Sequence, residues 1–187
     1  MFKRMLSVGV IAGLIVGVPM SWITISMSHT MMRYGMVIGY LIMLIGLSTV
    51  FVAIKRHRDA DLGGVIKFWP AFGLGIGISF IAGVLYVVSW DAACAIAHLD
   101  FAGSYAKAMI AQQQAKGVTA EALAKITAEM EQFKFQYANP LYRWPMTFIE
   151  IFPVGVLVSL ISAALLRNSR FLPARPAGSR LPAAQRT

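Results

Sequence analysis

The residue that most invites chemistry is Glu150. It stands in Phe148-Ile149-Glu150-Ile151-Phe152-Pro153-Val154-Gly155, near the start of the last long apolar run of a 187-residue chain. An ionisable group in such surroundings is costly unless it faces a bundle interior, a wet cavity or a partner. Pro153 lacks a backbone N–H, so the carbonyl of Ile149, four residues earlier, loses its usual helical donor. A protonated Glu150 can donate to such a group, and an ionised one can pair with an arginine. By depth the candidate partners are Arg33, Arg143 and the polar atoms of Tyr86 and Ser89. Two roles stay open for Glu150: a structural anchor near a helix end, or an ion or proton site.

A second constellation is Asp91, Cys94 and His98, spaced so that one continued helix would carry all three on a common face. Each residue type can ligate a metal. The plainer reading is an interfacial helix end with ordinary polar residues, because no groups that would orient such ligands can be identified. No metal and no cofactor is therefore expected. Cys94 is the single cysteine, which rules out an internal disulfide. His57 lies in a basic cluster and His29 in a short turn, with nothing around either to suggest a site. Gly73-Leu74-Gly75-Ile76-Gly77 superficially resembles a nucleotide fingerprint, but it lacks a preceding strand and is embedded in an apolar helix. No serine-histidine-aspartate arrangement, phosphate loop or H-E-x-x-H motif is present. No enzyme activity is expected.

The elements that must position these residues follow from composition. The chain is 58% hydrophobic and 13% charged, with a mean hydropathy of +0.67. That lies outside the soluble globular range. Apolar runs over residues 5–27, 34–54, 68–90 and 144–166 are each long enough to cross a bilayer as a helix. The first is too long for a signal-peptide core and lacks a small-x-small cleavage site, so it is read as a retained span. Within it Gly9, Gly13 and Gly17 share one helical face, and Gly75, Ser79 and Gly83 do the same in the third span. Small residues at that spacing let a neighbouring backbone approach closely, within the bundle or between copies.

The one sizeable polar stretch, residues 100–138, reads as a helical hairpin folded back over the bundle. Gly117 stops its first helix and Thr119 N-caps its second. Leu123, Ile126, Met130, Phe133 and Tyr137 form one narrow apolar seam on that second helix. Residues 1–167 thus form a four-helix transmembrane domain, and 168–187, rich in Pro, Ala and Arg, are expected to be a disordered basic tail.

Charge sets the orientation. The basic loop Lys55, Arg56 and Arg58 joins Lys3, Arg4, Lys67 and the arginines after Leu166 on one side, opposed only by Asp59 and Asp61. The other side balances to zero, so the whole net charge of +9 falls on one face. By the positive-inside rule both termini are cytoplasmic and the hairpin is extracytoplasmic. Trp22, Trp90 and Trp144 mark the outer span ends and Trp69 an inner one, as amphipathic rings favour. This places Glu150 roughly 9 Å below the outer interface, six residues past Trp144 at 1.5 Å each. The basic face suits anionic lipid rather than nucleic acid.

Several blocks together resemble a known family. Lys55-Arg56-His57-Arg58-Asp59, Leu62-Gly63-Gly64, Phe68 and Ala71-Phe72 with the glycines that follow are similar to the central signature of a bacterial membrane-protein family of unknown function, DUF4199. Met130-Glu131-Gln132-Phe133-Lys134, Asn139-Pro140-Leu141 and the Glu150 block are similar to its closing part. The resemblance runs to about Leu166. It implies a four-span bacterial inner-membrane protein and supplies no activity. The expectation is therefore an all-α integral membrane protein of four transmembrane helices, with an extracytoplasmic helical hairpin between the third and fourth. It would act in the bacterial inner membrane as a structural or interaction module, with a second copy or another membrane protein as partner. The alternative is a small transporter or channel component using Glu150.

Overall fold

The computed structural model describes residues 2–26 and 35–174. Six helices make up its regular structure: α1 Phe2–Ser26, α2 Gly35–Asp61, α3 Phe68–Ile96, α4 Phe101–Ala115, α5 Ala120–Tyr137 and α6 Pro140–Leu166. No strand occurs among the described residues. Helices α1, α2, α3 and α6 are long and apolar enough to cross a membrane. The turn read at residues 28–33, with His29 and Arg33, lies outside the described residues.

The four long helices form a ring in the order α1, α3, α6, α2, with α2 and α3 touching across the diagonal. Small residues set its close contacts. A Cβ on Gly9 would lie 2.7 Å from Ile81 Cβ, one on Gly13 2.7 Å from Leu85 Cβ, and one on Gly17 2.7 Å from Ser89 Oγ. Both partners advance four residues at a time in the same direction, so α1 and α3 run parallel. Gly75 meets Ser159 and Gly155 meets Ser79, which sets α3 and α6 antiparallel. The glycine faces are thus occupied inside one bundle. Between the helices Met43, Leu47, Ile54, Leu74, Ile78, Ile151 and Leu166 are fully buried. Ser79 and Ser159 hydroxyls lie 3.3 Å apart in that interior, and Ser159 also donates to the Gly155 carbonyl at 2.7 Å, so neither is left unsatisfied.

Helix limits differ from the sequence reading for definite reasons. The basic stretch Lys55, Arg56 and Arg58 is not a loop but the last two turns of α2. Acidic residues four positions on, Asp59 for Lys55 and Asp61 for His57, pair with it along the helix. Gly63 and Gly64, at φ of 64° and 91°, then end the helix, and Gly64 N–H donates to the Arg58 carbonyl at 2.9 Å. Helix α3 runs six residues past Trp90. Past residue 168 the chain still touches the bundle. The Phe171 ring packs edge-on against Phe51 at 6.5 Å between centroids, and the Phe171 and Leu172 carbonyls accept from Arg58. Residues 175–187 lie outside the described residues.

Helices α4 and α5 pack as an antiparallel pair, Phe101 against Tyr137 at 5.5 Å and Tyr105 against Phe133 at 5.6 Å. Asp100 caps α4 by accepting from Gly103 N at 2.8 Å, and Thr119 caps α5 by accepting from Ala122 N at 3.3 Å. Gly117 between them has φ 69°. Among the described residues the pair meets the bundle through α3 and α6, and Phe133 and Tyr137 of the α5 seam pack on α4.

Candidate functional site

Polar side chains gather at the two ends of the bundle. At the hairpin end Trp90, on α3, is 8% exposed and donates from Nε1 to Tyr137 Oη at 2.9 Å. Its ring also meets Phe101 edge-on at 5.2 Å. Trp90 is therefore a packed anchor between α3 and the α4–α5 pair, whereas Trp22, Trp69 and Trp144 are exposed. Burial raises the Tyr137 phenol above its ordinary pKa, and the Trp90 N–H opposes that shift.

Arg143, in the first turn of α6, pairs with Asp91 on α3. It also donates to the Tyr137 carbonyl at 3.4 Å, and its guanidinium carbon lies 5.8 Å from the Tyr137 ring centroid. Its own carbonyl accepts from Thr147 Oγ1 at 2.9 Å. This ties three helices at one point. Asn139 and Pro140 make it possible by closing α5 and opening α6 within two residues, Asn139 accepting from Leu141 N at 3.0 Å.

Glu150 lies exposed on the flank of α6. Among the described residues no hydrogen bond or ion pair reaches it. Of its expected partners, Arg143 is taken by Asp91. Ser89 sits against Gly17, and its carbonyl accepts from Ser21 Oγ at 3.4 Å. Arg33 lies outside the described residues. Tyr86, only 2% exposed, is within electrostatic reach without a bond. The proposed trio Asp91, Cys94 and His98 does not assemble. Helix α3 stops at Ile96, and His98, at φ 49°, turns out of its line. No group of three or more His, Cys, Asp or Glu is placed to hold a metal among the described residues.

At the basic end Arg58 is fully buried. Its Nε donates to Asp59 at 2.7 Å, and its two terminal nitrogens donate to the carbonyls of Leu166, Phe171 and Leu172. A helix C-terminus leaves its last carbonyls without donors. Arg58 supplies them from another helix, using the planar fork that lysine lacks. Charge counting made Arg58 one cation among several. The signal available in the sequence was its neighbour Asp59, which allows an arginine to remain charged when buried.

These positions can be set against known proteins. A family model described as a protein of unknown function, DUF4199, matches residues 7–168. The chain belongs to DUF4199. The match takes in all four long helices, the α4–α5 pair, Arg58 and Glu150, and stops just short of the carbonyls of Phe171 and Leu172. No curated protein and no solved structure matches the chain. For this member of DUF4199 the geometry offers two joints, at Arg143 and Arg58, and in α6 a carboxylate, Glu150, with no partner among the described residues.

Proposed function

We propose that this member of DUF4199 is a multi-pass protein of the bacterial inner membrane that serves as a structural or interaction module. Both termini are cytoplasmic, the α4–α5 pair is extracytoplasmic, and the protein carries out no reaction of its own. The observation that carries this reading is the placement of charge. The only buried ionic side chain among the described residues, Arg58, is used up in capping backbone carbonyls. Glu150, exposed on α6, has no hydrogen bond or ion pair among the described residues. An intramembrane acid so placed can take its donor from a neighbouring protein. A second copy or another membrane protein supplies it, and anionic lipid collects at the basic end.

A photocrosslinking residue at Ile149, 69% exposed and next to Glu150, tests this in intact cells. The expected result is a discrete adduct to a membrane-spanning peptide, weakened by Glu150→Gln. Strictly monomeric protein that crosslinks to nothing would sink the reading. The transporter alternative rests on the same Glu150, and it requires a path through a bundle interior whose described side chains are mostly apolar.

A further inference from the structure

At the hairpin end helices α3 and α6 border an open groove of about 830 Å³. Phe80, Val84 and Val88 of α3 and Leu141, Trp144 and Phe148 of α6 line it. Its volume falls within the roughly 300–1,000 Å³ typical of small-molecule sites. Along α3 it runs from Phe80 to Ala95, roughly 22 Å at 1.5 Å per residue. That exceeds the roughly 15 Å of one leaflet, half of a ~30 Å hydrocarbon core. Its single charged lining residue, Asp91, lies near the rim. One oxygen of Asp91 accepts from Arg143, and the side chain is still 31% exposed, which leaves acceptor capacity.

We propose that this groove holds one acyl chain of a phospholipid whose head group carries a primary ammonium, of the ethanolamine type, with the ammonium donating to Asp91. The charge pattern selects the head. Asp91 is the one charged residue lining the groove, and its remaining acceptor capacity suits an N–H donor on the head group. A choline head has no N–H to donate, and a glycerol head has no cation. The chain selects itself, because the walls are apolar over a leaflet's depth. The proposal rests on the membrane reading given above.

The test uses full-length protein reconstituted into vesicles of equimolar ethanolamine, choline and glycerol phospholipids. The protein is then extracted gently and weighed with its retained lipid by native mass spectrometry. Wild type retains one lipid, enriched in ethanolamine over choline by roughly tenfold, a ratio that a hydrogen bond to a charged group supports. Asp91→Asn levels the head-group preference while a lipid is still bound. Val84→Trp, or independently Val88→Trp, fills the groove and removes the retained lipid. Both valines are exposed, at 43% and 57%, so folding is preserved. Equal retention of the three lipids by wild type, or retention indifferent to both tryptophan variants, overturns the proposal. So does a lipid-free groove that crosslinks to a protein segment. Protein that does not enter the vesicles at all contradicts the membrane reading instead.

Discussion

Arg58 shows how much one side chain carries at the basic end. It is buried with every polar atom used, and three of its acceptors are backbone carbonyls in or just after the end of α6. Truncation leaves those carbonyls and Asp59 without their donor. Arg58→Ala is therefore expected to cost roughly 3–5 kcal/mol, the range for breaking a buried ion pair from one side. Arg58→Lys should recover part of that loss, since an ammonium cannot reproduce the fork. Melting of detergent-purified protein reads both, and an alanine variant as stable as wild type would refute the capping role. Tyr137 gives a pH test at the other end. Burial favours its protonated form, so its pKa in the folded protein lies above the ordinary phenol value of about 10. The stabilisation is complete below that value and is lost as pH climbs through the raised one. In tyrosinate absorbance the component removed by Tyr137→Phe should titrate later than an exposed phenol. A component at or below the ordinary value would mean that Tyr137 is not held as described.

At the scale of the element, small residues decide which helices touch. Gly13 has Leu85 Cβ 2.7 Å from where its own Cβ would be and the Ala82 carbonyl at 3.2 Å, so neither neighbour can swing away. Gly13→Ile should loosen α1 from α3 at a cost of roughly 1–3 kcal/mol, the range for overpacking. Gly73 faces open space. Gly73→Ala should be neutral or stabilising by up to about 1 kcal/mol, through helix propensity alone. Parallel melting curves of the two variants check this, and equal effects would show that glycine contacts do not set the packing. The four-residue glycine spacing was legible in the sequence. Its partner was not, because spacing marks a face without saying what lies opposite. The limits of α2 and α3 were misread for a related reason. Hydropathy falls at Lys55 and Asp91, whereas the helices continue: in α2 the pairs Lys55–Asp59 and His57–Asp61 support the polar turns, and on α3 Asp91 pairs with Arg143 of α6.

For the whole molecule, the all-helical architecture and four membrane-length helices were readable from apolar run lengths, and the family from ordered motif blocks. The ring order was not readable, because placing α3 between α1 and α6 depends on side-chain fit between segments far apart in sequence. Nor was the fate of Glu150. Depth gave Arg143 as a partner, and only the position of Asp91 on an extended α3 shows why that arginine is committed elsewhere. The described interior is built from Leu47, Ile54, Leu74, Ile78 and Ile151 with Ser79, Ser159 and Ser162 as buried hydroxyls, and its one buried ionic side chain, Arg58, is engaged by Asp59 and backbone carbonyls. The most direct measurement is proton and cation flux into proteoliposomes carrying the purified protein under an imposed pH gradient. A closed module gives flux equal to that of protein-free vesicles, with Glu150→Gln indistinguishable from wild type. Flux above that background, abolished by Glu150→Gln in protein that remains folded, would contradict the account.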